Sequence, residues 1–279
     1  MGFWLVLLLL MLPAQAVNNE PVTLALASNH MVTPPATPLS YGDLLLLAQK
    51  HSLIVAVYGI ESPPLSMNSA TGRYRGMNAD YLVLLGNALH INVIVKLYAN
   101  EQQAFAALQA GSVDLVLSSP SGASQPGAPF IASLPLAQGY PTLVTRLTEV
   151  MKPFHDDSDK IRIAITQGFP PESFIKQSFP NASIVSFVNE YQALASVASQ
   201  QSDYFFGNNL TTSFILARDF YQTLGMVKFW REPQSGNVFI ALDSQRQLVN
   251  IVNSFINSLN ESLHSQIAQS WIDMGNLTF

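Results

Sequence analysis

Cysteine is absent from all 279 residues. That excludes disulfides, thiolate nucleophiles, thiolate metal sites and a lipid carried on cysteine. Charge is scarce as well: 11% of residues, with 13 Lys and Arg against 18 Asp and Glu and a net charge of −5. The basic residues form no stripe, which excludes nucleic acid as a partner. His30, His51, His90, His155 and His264 lie far apart in the chain and offer no zinc spacing. Asp156-Asp157-x-Asp159 lacks the Gly and Glu of a calcium loop and reads as a solvated linker. There is no Gly-x-Ser-x-Gly elbow and no phosphate loop. The expectation is a protein with no metal, no cofactor and no catalytic residues. After residue 16 no apolar run reaches the roughly 20 residues needed to span a bilayer.

What is present is 48% hydrophobic residues, enough for sizeable cores. Met1 to Ala16 reads as a signal peptide: Phe3 to Leu12 is apolar, and Ala14-Gln15-Ala16 is a small-x-small cleavage site. A periplasmic protein with no membrane anchor after cleavage is expected.

The most telling stretch runs from Leu53 to Ser119. Leu53 to Val57 is an apolar strand, followed by Pro63-Pro64 and a loop at Gly72 to Gly76. Asn78 is a candidate N-cap for a helix carrying Tyr81, Leu82, Leu85 and Leu89. Ile91 to Leu97 is a strand, Gln102 to Gln109 a helix stopped by Gly111, and Val113 to Leu117 a buried strand. A second unit of related plan begins at Ile161 and reaches Asp203 to Gly207. Upstream, Val22 to Leu26 could add an edge strand, and Ser40 caps a short helix with Leu44, Leu45 and Leu47 inward. Downstream, Leu248 to Leu259 repeats at three and four, and Asn260 caps a last helix with Leu263, Ile267 and Trp271.

In such α/β units ligands sit at the carboxyl ends of the strands. Tyr58, Glu61, Ser118 and Ser119 fall there. Tyr58 either stacks on a ligand or packs structurally; Glu61 either accepts an amine or faces water. Asp80 and Asp114 read as structural caps or ion-pair partners.

Gly76-x-x-x-Asp80-Tyr81-Leu82, Ala107-Leu108-x-x-Gly111-x-Val113-Asp114, Phe179-Pro180-Asn181-Ala182, Gln192-Ala193-Leu194, Gly207-Asn208 and Trp271 come in an order that resembles the family 3 periplasmic solute-binding proteins. Leu39-Ser40, His51-Ser52-Leu53 and Leu143 to Arg146 are similar to the Venus flytrap domains of BvgS-type hybrid sensor kinases. The resemblance covers roughly residues 22 to 273. It implies an α/β, two-lobed type II binding-protein fold, each lobe a mixed sheet flanked by helices, with a two-strand hinge. The implied division is a 1–16 signal peptide, a 17–52 extension with a short helix, lobe 1 over 53–139 plus 237–279, and lobe 2 over 140–236.

The implied function is solute binding by hinge closure, with a small polar ligand and a membrane permease or sensor kinase as partner. In amino-acid-binding relatives an Arg follows the strand equivalent to Val113–Leu117. Here Leu115 to Thr145 holds no charged residue, and Ser118, Ser119, Ser121, Ser124 and Gln125 occupy the edge instead. A carboxylate buried there without a cation would be costly. Three readings stay open: a neutral or polar ligand, an Arg73 or Arg75 that reaches over from its loop, or no ligand at all. Gln167, before a helix start, is the implied anion cradle of lobe 2. Asn208 and Asn209 either face the cleft or form a turn. The competing functions are a dehydratase-like enzyme on the same fold and a ligand-free mechanical module.

Overall fold

A computed structural model describes residues 20–28, 33–59, 61–68, 72–119, 129–137, 139–151, 161–167, 172–230 and 236–275. The first strand, β1, is Val22–Leu26. Helix α1 (Tyr41–Gln49) begins with a capping box: the Ser40 hydroxyl accepts from Asp43 N, and Ser40 N donates to the Asp43 carboxylate. Then come β2 (Ser52–Tyr58), the short β3 (Met67–Asn68) and β4 (Arg73–Arg75), α2 (Met77–Leu89) and β5 (Asn92–Tyr98). Helix α3 (Glu101–Gln109) is capped by Asn100, and β6 (Leu115–Ser118) and β7 (Phe130–Ala132) follow it. The next group is β8 (Pro141–Arg146), α4 (Leu147–Val150), β9 (Arg162–Thr166), α5 (Glu172–Ser178), β10 (Ser183–Phe187), α6 (Glu190–Ala198) and β11 (Tyr204–Asn208). After these, α7 (Asn209–Ile215) runs into a π-helical turn (Leu216–Phe220), then β12 (Leu224–Phe229). The last elements are β13 (Val238–Leu242), α8 (Arg246–Ser258) and α9 (Glu261–Gly275).

Among the described residues the strands form two sheets. The first has the order β3-β4-β1-β5-β2-β6-β13-β7, the second β10-β9-β11-β8-β12. Each has a parallel centre (β5-β2-β6 and β10-β9-β11) with antiparallel strands beside it. Parallel strands covered on both faces carry near-continuous apolar runs. The run from Leu53 to Val57 does so, with Leu53, Val55 and Ala56 fully buried.

One face of the first sheet is packed under α1, α2, α8 and α9 through Leu85, Phe255 and Trp271. The other is packed under α3 through Phe105, Leu108 and Val116. The second sheet is covered likewise, by α6 and α7 on one face and α5 with Trp230 on the other.

The chain passes between the sheets twice, after β7 and after β12. The two passages touch: Leu136 N donates to Asn237 O at 2.9 Å. A Cβ on Gly236 would lie 1.5 Å from Ala137 O, so only glycine lets the backbones come this close. Helix α9 packs on α2 from the first group and on α7 and the π turn from the second.

Several expectations are corrected. β1 is no edge strand: Val22 to Leu24 pair with β5, and Ala25 and Leu26 pair with β4, so it lies inside the sheet. Leu44 and Leu45 are 52% and 47% exposed; of the three leucines expected inward only Leu47 is buried, because α1 meets the core along a narrow edge. Gly72 to Gly76 is not simply a loop but contains β4. The N-cap of α2 is Gly76 rather than Asn78, which lies inside the helix and donates from Nδ2 to Ser66 Oγ at 2.9 Å.

The two acids read as structural are so used. Asp114 pairs with Lys50 and accepts from Ile54 N at 2.8 Å, tying α1 and β2 to the start of β6. Asp80 is 1% exposed in the first turn of α2. It accepts from Trp271 Nε1 at 2.6 Å and from Ser28 Oγ at 2.7 Å.

One buried carboxyl has no signature in the sequence. Glu190, in the first turn of α6, accepts from Thr212 Oγ1 at 2.5 Å. The residue is part-exposed, but its carboxyl tip lies under α7. Burial pushes its pKa up to about 7, against the smaller lowering effect of the Thr212 and Thr211 hydroxyls.

Two predictions follow from these contacts. Replacing Trp271 with Ala removes a fully buried indole and one of the donors to Asp80, so unfolding free energy falls by about 3–5 kcal/mol. Trp271→Phe loses chiefly the hydrogen bond, about 1–3 kcal/mol. Urea midpoints should show the larger loss for Ala. For Glu190, the folded pKa lies above the unfolded value. The folded chain therefore binds the extra proton between about pH 4.5 and 7, and stability falls as pH rises through that window. Glu190→Gln should flatten this slope, worth on the order of 1–3 kcal/mol between pH 5 and 7.5. An unchanged slope in urea titrations at the two pH values would assign it to other groups.

Candidate functional site

The strand ends of the first sheet enclose a cavity of about 200 Å³. Its floor is Tyr58, which ends β2, with Ser118 and Ser119 at the end of β6. Tyr58 Oη and Ser118 Oγ lie 2.5 Å apart. Burial raises the pKa of Tyr58 above that of an ordinary phenol, so it presents a neutral hydroxyl at pH 7.

The far wall is built by Ser62, Ser66, Asn68 and Tyr74. Ser62 N donates to Ser66 O at 2.9 Å, and Ser66 N returns a bond to Ser62 O at 3.0 Å, which closes a compact loop. Glu61 stabilises it by accepting from Asn68 N at 2.7 Å. In the β3–β4 pair, Asn68 stands opposite Tyr74 and Met67 opposite Arg75. Directly opposed residues share a face, and neighbours along a strand alternate. Asn68 and Tyr74 both line the cavity, so Arg73 and Arg75 belong to the other face. Tyr74 is fully buried, its pKa pushed up to about 12 by burial, and its hydroxyl is paired with Ser66 Oγ at 2.8 Å.

The loop also occupies the start of α2. Met77 N donates to Pro64 O at 2.8 Å and Asn78 N to Leu65 O at 3.0 Å. Gly76, at φ +113°, permits the approach; a Cβ there would lie 2.5 Å from Leu65 O. The first two donors that this helix N-terminus would offer an anion are therefore already engaged.

Of the residues expected at the site, Tyr58, Ser118 and Ser119 come together in this cavity. Glu61 supports its wall through the backbone of Asn68. Arg75 does not line it. Ser121 lies outside the described residues. Gln167 ends the region of β9 in the second sheet, is exposed, and donates its backbone N–H to Phe187 O at 2.9 Å; most of its expected anion loop lies outside the described residues. Asn208 and Asn209, read as facing the cleft or forming a turn, direct their side-chain oxygens to backbone, and Asn209 also lines a larger cavity. Asn208 Oδ1 caps α7 at Leu210 N, 2.9 Å, and Asn209 Oδ1 accepts from Tyr140 N at 2.6 Å. Asn208 thus caps α7 itself, and Asn209 holds the start of that helix to the passage between the sheets.

Ser62, Ser66, Asn68, Tyr74 and Asn237 were not legible as site residues. The two serines flanking Pro63-Pro64 and Leu65 were a usable signal for a tight polar loop. Asn237 could be found only by tertiary structure, since it arrives from more than 100 residues away.

A larger cavity of about 630 Å³ lies elsewhere, between α2, residues 134–137, Tyr140, the start of α7 and the α8–α9 turn. Its walls come from both groups of elements. Tyr81 Oη and His264 Nδ1 meet there at 2.7 Å, and burial lowers the His264 pKa. Among the described residues no cluster of three or more His, Asp or Glu is placed to hold a metal, and no helix is long and apolar enough to cross a membrane.

Comparison with known proteins agrees with this architecture. The sensor protein EvgS of Escherichia coli O157:H7 is 39% identical over 254 residues, covering 91% of this chain and 21% of that protein. The virulence sensor protein BvgS of Bordetella pertussis is 27% identical over 259 residues, covering 93% of this chain and 20% of that protein. The chain thus spans about a fifth of the length of these curated relatives. The crystal structure of the B. pertussis BvgS periplasmic domain superposes with a TM-score of 0.81 at 26% identity, over 91% of this chain and 49% of that one. An arginine-bound amino acid transporter substrate-binding protein from Streptococcus pneumoniae, at 16% identity and a TM-score of 0.60, shares the fold. With residues 53–274 matched by that family's sequence profile, the chain belongs to the bacterial extracellular solute-binding proteins, family 3.

Proposed function

We propose that this chain is the solute-sensing module of a periplasmic signalling system, and that it holds a small polar solute between two lobes that close about a hinge. The observation that carries this reading is the cavity at the ends of β2 and β6, where Tyr58, Ser118 and Ser119 converge. The lobes are the two sheet groups, and the hinge is the pair of passages joined at Leu136 and Asn237. Closure stabilised by ligand requires the closed state to bind more tightly than the open one. The sensing role is supported by the sensor proteins among the relatives, and a periplasmic location by the BvgS periplasmic domain.

A non-enzymatic role is part of the same proposal. The cavity lining holds no acid–base pair. Glu61, the one acid expected near it, is engaged with Asn68 N. Dehydratase-like chemistry would need a proton carrier that the described wall does not present.

The purified protein should gain stability when screened against amino acids, amines, organic acids and sugars. A solute at 100 times its dissociation constant contributes about 2.7 kcal/mol, a clear shift in melting temperature. Tyr58→Phe and Ser118→Ala should each weaken that solute tenfold or more, with the melting temperature of the free protein little changed. Small-angle scattering should show compaction on binding. No shift with any solute, or full affinity in both variants, would refute the assignment.

A further inference from the structure

The walls of the cleft cavity share one chemical property. Every described residue that lines it is uncharged. Arg73 and Arg75 belong to the other face of the β3–β4 pair. The first backbone donors of α2 are taken by Pro64 O and Leu65 O. No charged residue occurs from Leu115 to Thr145, the stretch that includes the end of β6. A carboxylate placed against this wall would lose its hydration and gain neither a cation nor a free helix N-terminus.

A second observation is independent of charge. Asn68 lines the cavity, and its Oδ1 is buried with no hydrogen-bond partner. A buried acceptor left unpaired is destabilising, and native proteins seldom keep one without a use. The surrounding polar groups do not relieve it. Tyr74 and Asn78 both bond to Ser66 Oγ, and Tyr58 bonds to Ser118. The terminal torsion of an Asn side chain is soft, so Oδ1 is free to rotate toward a solute in the cavity that Asn68 lines. An amide oxygen only accepts, so its partner must bring an O–H or N–H.

We infer that the solute is a neutral molecule carrying a hydroxyl or carboxamide donor, such as a polyol, a sugar or an amide, and that Asn68 is the residue that selects for it. The inference rests on the solute-binding reading above and narrows its ligand class. Carboxylates are discriminated against by the uncharged wall and by the oxygen of Asn68 facing them. The same logic separates this chain from a site that recognises a free amino acid by its carboxylate. Asn68 is suited to selectivity because its structural contribution is separable: the bond to Glu61 comes from its backbone N–H and does not need the carboxamide.

The experiment uses the intact protein and matched solute pairs that differ in charge on one skeleton: D-glucose and D-gluconate, D-galactose and D-galacturonate, benzamide and benzoate. Melting temperature and isothermal titration should show saturable binding of at least one neutral member, with its carboxylate twin at least tenfold weaker. Asn68→Leu should weaken the neutral member tenfold or more, while the free variant melts at the same temperature or higher, because the unpaired oxygen is gone. Equal or tighter binding of the carboxylate twin would overturn the ligand class and leave solute binding intact. Unchanged affinity in Asn68→Leu would overturn the role of Asn68. Binding of no member of any pair would remove the solute-binding reading and this inference together.

Discussion

The buried carboxylate of Asp80 is the contact on which the arrangement of the chain depends. It sits in the first turn of α2, where the helix favours negative charge, and it takes hydrogen bonds from Trp271 and Ser28. One acid thus joins the N-terminal segment, the second helix and the last helix. Because α9 also packs on α7 and the π turn, the anchoring of Trp271 fixes the surface against which the second group of elements rests. The passages at Leu136 and Asn237 supply the covalent link, and α9 supplies a non-covalent one. Any closing motion must keep the first and rearrange part of the second.

Against that frame the cleft is built from modest groups. Its wall is a tight loop braced by Glu61, a two-residue strand and the ends of two parallel strands. The loop closes the cavity and caps α2 with its own carbonyls. A helix start and a strand end, the two features by which α/β folds commonly bind anions, are here spoken for or uncharged. On the proposed reading, affinity comes from hydroxyls, an amide and shape, which suits a small polar solute.

Much of the fold was legible in the sequence because period and capping are local. The apolar run at Leu53 to Val57, the stop at Gly111 and the caps at Ser40 and Asn260 all appear where the pattern puts them. The misreadings share a cause. Val22 to Leu26 is apolar enough for a strand, but its place between β4 and β5 depends on partners about 45 to 75 residues away. Leu44 and Leu45 have helical spacing, yet the core touches only the Leu47 edge of α1. Arg73-Tyr74-Arg75 looks like a charged loop because it is only three residues long and one of its two partners, β1, lies some 48 residues upstream.

The site shows the same division more sharply. Tyr58, Ser118 and Ser119 could be placed from sequence alone, since strand ends are predictable from strand runs. Asn208 and Asn209 could not, because their amides were equally suited to a ligand or to backbone; Asn208 turns to the local Leu210 N–H, and Asn209 to the Tyr140 N–H of the nearby passage.

By itself, the sequence determined the α/β plan, the absence of thiols and the charge-free stretch at the cleft edge, all properties of composition and short-range pattern. Only the tertiary structure decided which polar groups are already satisfied. Hydrogen-bond partners are drawn from distant segments, so the engagement of Glu61, the capping of α2 and the unpaired oxygen of Asn68 exist only once the chain is folded.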